Sequence, residues 1–227
     1  MKVVIMAAGR GSRLGYLTSD NPKTLVAVGG KPILKHILYA LKPLANEVII
    51  VTDYLGHKIK KRFGSHFDGL KLIYVRQEKL AGTAGALWQV RGYLNTGKFL
   101  ALNGDDIYST SDLAKCLDEE LAVGLTRNFP WKNYEAIKLN RSGFIKSWRK
   151  ITSEKPKKKV LIISGAYVLD KRIFNYEPVK INNGEFGLPQ TILKMSKEHP
   201  VKGVVMDKWL SINYPGDIVK AEKYLKN

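Results

Sequence analysis

Three short groups in the chain carry residues suited to phosphate chemistry. GRGSR occupies Gly9–Arg13, Lys23 follows Arg13 by ten residues behind Pro22, and Asp105 stands in NGDD. Glycines let backbone N–H groups approach an anion closely, while a guanidinium and an ammonium add full charges where phosphates lie. That is more positive charge than the diphosphate of a cofactor needs, and it suits a triphosphate whose outer phosphates leave. A carboxylate at the end of a strand can anchor Mg²⁺, which takes one or two carboxylates and completes its shell with phosphate oxygens and water.

Two common glycine-loop chemistries fit poorly. A dinucleotide turn needs G-x-G-x-x-G, but Leu14 holds the third glycine position and Gly15 comes one place late. A P-loop needs G-x-x-x-x-G-K-S/T, whereas in GGKP at Gly29–Pro32 position 25 is Leu and Lys31 is followed by Pro.

The elements that must hold these groups can be read from periodicity. Short Val/Ile/Leu-rich runs alternate with helical patterns through VVIMAA, PILKHILYALKPL, EVIIVT, YLGHKIKKRFG, LKLIYV, GALWQVRGYL and KFLALNG. Ile33, Ile37, Leu38, Leu41 and Leu44 follow the three-to-four spacing of a buried helix face, with Pro32 at the permissive first position. KFLALN is a short continuous run, as expected of a strand covered on both faces. Such alternation predicts βαβ units, a mostly parallel sheet and right-handed crossovers. GRGSR then falls at the carboxyl edge, where open α/β sheets bind ligands. Beyond Leu121 the chain reads as strands (LAVGLTR, EAIKLN, FIKSWR, KKVLIISGAYVL) with a turn at NRSG, closed by helices near LPQTILKMSKEH and PGDIVKAEKYLKN. The expectation is one α/β domain over 1–227, with 1–121 as the nucleotide half and 122–227 as the other wall of a cleft.

At 227 residues, with 44% hydrophobic and 26% charged side chains, the chain can build one substantial core, and disorder is excluded. A single cysteine, Cys116, rules out a disulfide framework and any Cys-based metal site, and a half-buried helix thiol is the expectation for it. The opening apolar run is too short for a signal sequence or membrane span, so a cytoplasmic protein without a membrane partner is expected. The net charge of +18 admits nucleic acid, an anionic membrane face or small polyanions as partners. Its densest patch, Lys146–Lys159, has seven basic residues, one acid and one aromatic, Trp148, too few aromatics for a base-stacking platform. The four histidines show no metal spacing, and Trp88, Trp148 and Trp209 read as core or wall residues.

Taken together, GRGSR, NPK and VGGKP resemble the opening pattern of the sugar-1-phosphate nucleotidyltransferases, the nucleotide-sugar pyrophosphorylases. QEKLAGTAG and NGDD extend the resemblance in order through the first half. It implies a Rossmann-like three-layer sandwich with a mostly parallel mixed sheet and an added sugar-binding half. It also implies transfer of a nucleotide from a nucleoside triphosphate to a sugar 1-phosphate, with Mg²⁺ as cofactor. Carried over residue by residue, Arg13 and Lys23 are the expected catalytic pair. Ala7, Ala8, Gly9, Gly11 and Ser12 wrap the nucleotide, with Gln77, Gly82 and Thr83 beside them. A glutamine at the position of Gln77 reads uracil or thymine in the family's pyrimidine users, so UTP or dTTP is expected. Gly104, Gly165, Glu154 and Lys155 fall on the sugar-phosphate side, and Asp105 on the metal, where Asp106 could share the role or cap the next turn.

The pattern is broken in three places. The family's closing W-x-D-x-G-T-P-x-D reads WLSINYPGD, so Ser211 replaces the aspartate that supplies a second metal ligand, and Asn213 offers a carbonyl instead. The E-K-P motif at Glu154–Pro156 lies several residues late, and strict spacing would put Lys150 on the glutamate position. YEAI at Tyr134–Ile137 lacks the glycine of the family's Y-G-V. A catalytically weakened nucleotide-sugar sensor or subunit is therefore the alternative, and a nucleic-acid-binding module a more distant one. An oligomer is compatible with either enzyme or sensor.

Overall fold

The computed structural model describes residues 1–53, 55–78, 81–127, 135–150 and 160–226. Its centre is a ten-stranded mixed sheet. The first strand, Lys2–Ala7, pairs in parallel with Glu47–Thr52 on one side and Phe99–Asn103 on the other. Glu47–Thr52 in turn pairs in parallel with Leu70–Arg76. This parallel centre of the sheet is the work of the first half of the chain, where each strand is followed by a crossover.

In the second half the pairing is mostly antiparallel, the exception being Ala122–Thr126 with Lys202–Val205. Leu161–Leu169 lies antiparallel to Phe99–Asn103, with Ala166 opposite Leu102, and carries the sheet on through Glu135–Leu139 to an edge strand at Ile145–Lys150. Ala122–Thr126 also pairs with Leu161–Leu169 and recruits Lys202–Val205, a strand that VKGVV does not advertise in isolation. One hydrogen-bonded sheet therefore runs through both halves.

The three layers follow from the alternation of side chains along buried strands. Val3, Ile5 and Ala7 face one core, shared with Ile33, Leu34, Ile37 and Leu41 of the helix Ile33–Leu41. Val4 and Met6 face the other, shared with Leu87 of the helix Gly82–Gln89 and with Leu188 and Ile192 of Leu188–Met195. Pro32 precedes the first of these helices as its cap rather than opening its first turn. Cys116 is fully buried in the helix Thr110–Leu117, where burial pushes its thiol up to about 12. Trp209 is buried, whereas Trp148 is 44% exposed on the edge strand and belongs to neither core nor wall. Among the described residues no helix is long and apolar enough to cross a membrane.

Candidate active site

A cleft of about 280 Å³ opens where the first strand and Phe99–Asn103 end side by side. Ala7, Ala8 and Gly9 run along one lip, Asn103, Gly104 and Asp105 along the other. Their closeness has a backbone cause: Gly104 N–H donates to Met6 O at 3.0 Å, and a Cβ on Gly104 would come within 3.0 Å of that same oxygen. Arg13, Lys23, Gln77, Gly82 and Thr83 complete the part of the lining anticipated from sequence.

The turn after the first strand is shaped around Lys23. Gly11 adopts a φ of 67° that glycine alone takes cheaply, and its carbonyl accepts from Leu14 N–H and the Thr18 hydroxyl, both at 2.9 Å. A Cβ there would press on Lys23 Cβ at 3.0 Å, so this glycine makes room for the lysine stem. Gly11 and Ser12 sit beside the cleft rather than in its lining. Lys23 itself is 7% exposed, in the short 3-10 turn Lys23–Leu25.

Its ammonium lies 2.5 Å from Asp105 Oδ2 and 3.2 Å from Asn213 Oδ1, which also accepts from Arg13 Nη2 at 2.7 Å. The Arg13 guanidinium stands 5.6 Å from the centre of the Tyr214 ring. Two cations from the first loop, one carboxylate from mid-chain and one carboxamide from near the end thus meet at the cleft. Tertiary pairing brings in the last of these: Asp106–Tyr108 pairs with Trp209–Ser211, and Ile212 N–H donates to Asp105 O at 3.1 Å.

Asp106 is 2% exposed and stands behind this group, with Asn103 Nδ2 at 3.4 Å and the Tyr108 hydroxyl at 3.3 Å from its Oδ2. Burial, together with the neighbouring Asp105 charge, raises its carboxyl above the ordinary carboxylate range. Burial, with Asp106 nearby, likewise raises the Tyr108 hydroxyl well above its ordinary value. Among the described residues no three His, Cys, Asp or Glu side chains form a metal cage. Mg²⁺ does not require one, since substrate phosphates supply most of its shell.

Opposite the cations, Gln77 is buried at the end of Leu70–Arg76. Oriented to satisfy its neighbours, its carboxamide oxygen accepts from Ala81 and Ala86 N–H at 3.3 and 3.2 Å. The NH₂ end is therefore the part of this side chain left for another partner. Gly82 has a φ of 71°, and a Cβ on it would meet Phe186 O at 2.5 Å. The Thr83 hydroxyl accepts from Leu188 N–H at 2.9 Å, so it ties the helix Gly82–Gln89 to the second half of the chain.

Gly165, with a φ of 79°, does not open onto the cleft. A Cβ there would run into the Asn103 carboxamide and come within 2.7 Å of Asp106 Oδ2, so its missing side chain makes room for those residues. Glu154 and Lys155 lie outside the described residues. Thr24, Asn103 and Glu185 line the cleft and were not singled out from sequence. Asn103 could have been, as the residue preceding Gly104 at a strand end, but Glu185 reaches the cleft only because its loop folds against Gly82.

A profile of the nucleotidyl transferase family matches residues 2–223. Among curated relatives, the bifunctional protein GlmU of Methanocaldococcus jannaschii is 33% identical over 99% of this chain and 54% of its own length. The chain thus spans about half the length of that relative and of several methanococcal proteins of the same name. The UTP--glucose-1-phosphate uridylyltransferase AglF of Haloferax volcanii is 30% identical and is matched over all of this chain and 97% of its own. Of solved structures, a UDP-glucose pyrophosphorylase complexed with UDP-glucose superposes with a TM-score of 0.87 at 17% identity, covering 100% of this chain and 99% of that one. The inositol-1-phosphate CTP transferase of T. maritima does so with a TM-score of 0.79 at 19% identity, over 100% and 96%. The mixed sheet with helices on both faces is therefore the architecture of these enzymes, and by the match of its sequence from end to end the chain belongs to the nucleotidyl transferase family.

Proposed function

We propose that the protein couples a nucleoside triphosphate, UTP or dTTP, to a sugar 1-phosphate, yielding an NDP-sugar and pyrophosphate. The observation that carries this reading is the Arg13, Lys23, Asp105 and Asn213 cluster at one end of a cleft whose other end holds Gln77. A phosphate oxygen of the sugar 1-phosphate attacks the α-phosphorus in line, and pyrophosphate departs on the opposite side, with no covalent enzyme intermediate. Arg13 neutralises charge growing on the departing pyrophosphate. Lys23 bridges the α-phosphate and the sugar phosphate. The backbone of Ala7, Ala8, Gly9, Gly11 and Ser12 wraps the nucleotide beside Gly82 and Thr83, and the Gln77 NH₂ donates to a carbonyl of uracil or thymine.

The residues fit Mg²⁺. The oxygens of Asp105 and Asn213 already flank a cation, the Lys23 ammonium, and Asn103 Oδ1 is buried nearby without a partner. Asp105 and Asn213 would hold the ion, which when bound supplies positive charge to the α-phosphate. Gly104, Glu154 and Lys155 serve the sugar-phosphate side. The chain acts as one domain, 1–121 for the nucleotide and 122–227 for the sugar phosphate, in the cytoplasm, with no membrane or nucleic-acid partner.

Pyrophosphate release tests the reading, with each nucleoside triphosphate against a panel of sugar 1-phosphates in Mg²⁺. Glucose 1-phosphate is the first to try, because it is the substrate named for the uridylyltransferase matched end to end. Release with UTP or dTTP is the expected result; no release with any pair overturns it.

A further inference from the structure

In the pairing of Asp106–Tyr108 with Trp209–Ser211, Asp106 lies directly opposite Ser211. Opposed residues of an antiparallel pair project to the same side of the ribbon, which sets the Ser211 hydroxyl beside the Asp106 carboxyl. Asn213 Nδ2 donates to Ser211 Oγ at 2.6 Å, while Asn213 Oδ1 accepts from Arg13 at 2.7 Å and Lys23 at 3.2 Å. The contacts lead from the hydroxyl through the carboxamide to the two cations, with the Asp106 carboxyl across the ribbon from the hydroxyl. The polarity at Asn213 is fixed: guanidinium and ammonium only donate, so the carboxamide oxygen faces them, and its NH₂ then needs an acceptor, which the Ser211 hydroxyl supplies. Asn213 is 6% exposed and Asp106 2%, with Ser211 half-buried between them.

We propose that Ser211, with Asp106 across the ribbon from it, is a positioning residue that holds the Asn213 carboxamide with its oxygen toward Arg13, Lys23 and any cation bound beside Asp105. The proposal rests on the triphosphate reading above. Without substrate, the two cations themselves orient the carboxamide. Phosphate oxygens are stronger acceptors than a carboxamide and draw both cations away, and from then on Ser211, backed by Asp106, keeps the oxygen outward. A turned carboxamide would present its NH₂ donors to cations. The arrangement also gives Ser211 a reason to stand where the pattern of related sequences has an aspartate: with Asp106 across the ribbon, an aspartate at 211 would put a third carboxylate beside Asp105 and Asp106.

Calorimetric binding of UTP and dTTP in Mn²⁺, without sugar phosphate, tests the proposal on Ser211→Ala and Ser211→Thr in two backgrounds, Asn213 and Asn213→Asp. A carboxylate has oxygen at both ends and needs no orientation. Ser211→Ala is expected to weaken binding about threefold to tenfold beside Asn213 and less than about twofold beside Asn213→Asp, with Ser211→Thr near the parent. Equal losses in both backgrounds, or no loss beside Asn213, overturn it. If Ser211→Ala does not fold, as judged by thermal melting, Ser211→Cys keeps the bulk, weakens the hydrogen bond from Asn213 and is read against the same outcomes. A parent protein that binds neither nucleotide overturns the function reading and this one with it; a parent that binds while Ser211→Ala is unchanged overturns this one alone.

Discussion

The Lys23 ammonium lies 2.5 Å from Asp105 Oδ2 across 82 residues of chain, and the two sides of the pair are unequally wet, 7% against 32% exposed. Removing the aspartate strands a buried ammonium, whereas removing the lysine leaves a carboxylate that water can reach. Asp105→Ala is therefore expected to lower the thermal midpoint more than Lys23→Ala. The reverse order would show that the ion pair does not hold the lysine in its buried position.

Lys23→Ala and Arg13→Ala should each cut pyrophosphate release about a hundredfold or more, the cost of losing one preorganised charge in the transition state, roughly 3–4 kcal/mol. Circular dichroism should stay native. Rates within a few-fold of the parent would remove both residues from the chemistry.

Gln77→Glu keeps an oxygen for Ala81 and Ala86 N–H but turns an acceptor instead of NH₂ toward the base. Catalytic efficiency with UTP and dTTP should drop about tenfold or more, because a carbonyl of the base then faces a carboxylate. The kcat/KM ratio across the four nucleotides is the measurement. An unchanged ratio would mean Gln77 does not read the base.

Gly82→Ala places a Cβ at a φ of 71° and 2.5 Å from Phe186 O. Strain of this kind costs about 1–3 kcal/mol, visible as a lower urea midpoint. The cleft and the loop that carries Glu185 should loosen together. A shift under about 0.5 kcal/mol would show that the two segments separate freely.

Asp112 provides a pH-dependent test away from the cleft. Burial alone would raise its carboxyl, but Lys208 N–H, Ser109, Asp207 N–H and Lys115 outweigh it and hold it below the ordinary carboxylate value. A carboxyl lowered on folding stabilises above its unfolded value and loses that contribution as pH falls through the folded one. Asp112→Ala should cost about 1–3 kcal/mol at pH 7, since it orphans two backbone donors. The gap between variant and parent should narrow as melts are taken below about pH 4. A pH-independent gap would assign the effect to packing alone.

Much of the fold was legible because it is written in local periodicity. The runs around Val3–Ala7, Val48–Val51 and Phe99–Leu102 bury both faces, and continuous apolar runs separated by helical patterns have few parallel arrangements open to them. Lys202–Val205 and the ribbon joining Asp106–Tyr108 to Trp209–Ser211 were not legible, since segments of three or four residues become strands only when a distant partner supplies their hydrogen bonds.

For the candidate site the division is similar. The sequence by itself determined that a glycine turn would follow the first strand, that Arg13 and Lys23 would lie near it, and that Asp105 would end another strand of the same sheet, because spacing within a βα unit sets which side chains reach its carboxyl edge. Only the tertiary structure decided that Asn213 meets both cations, that Gly165 is packed beneath Asn103 and Asp106 instead of opening toward a sugar, and that Thr83 ties two segments together. Those relationships depend on pairings between segments far apart in the chain, which the burial of two cores selects and no local pattern records.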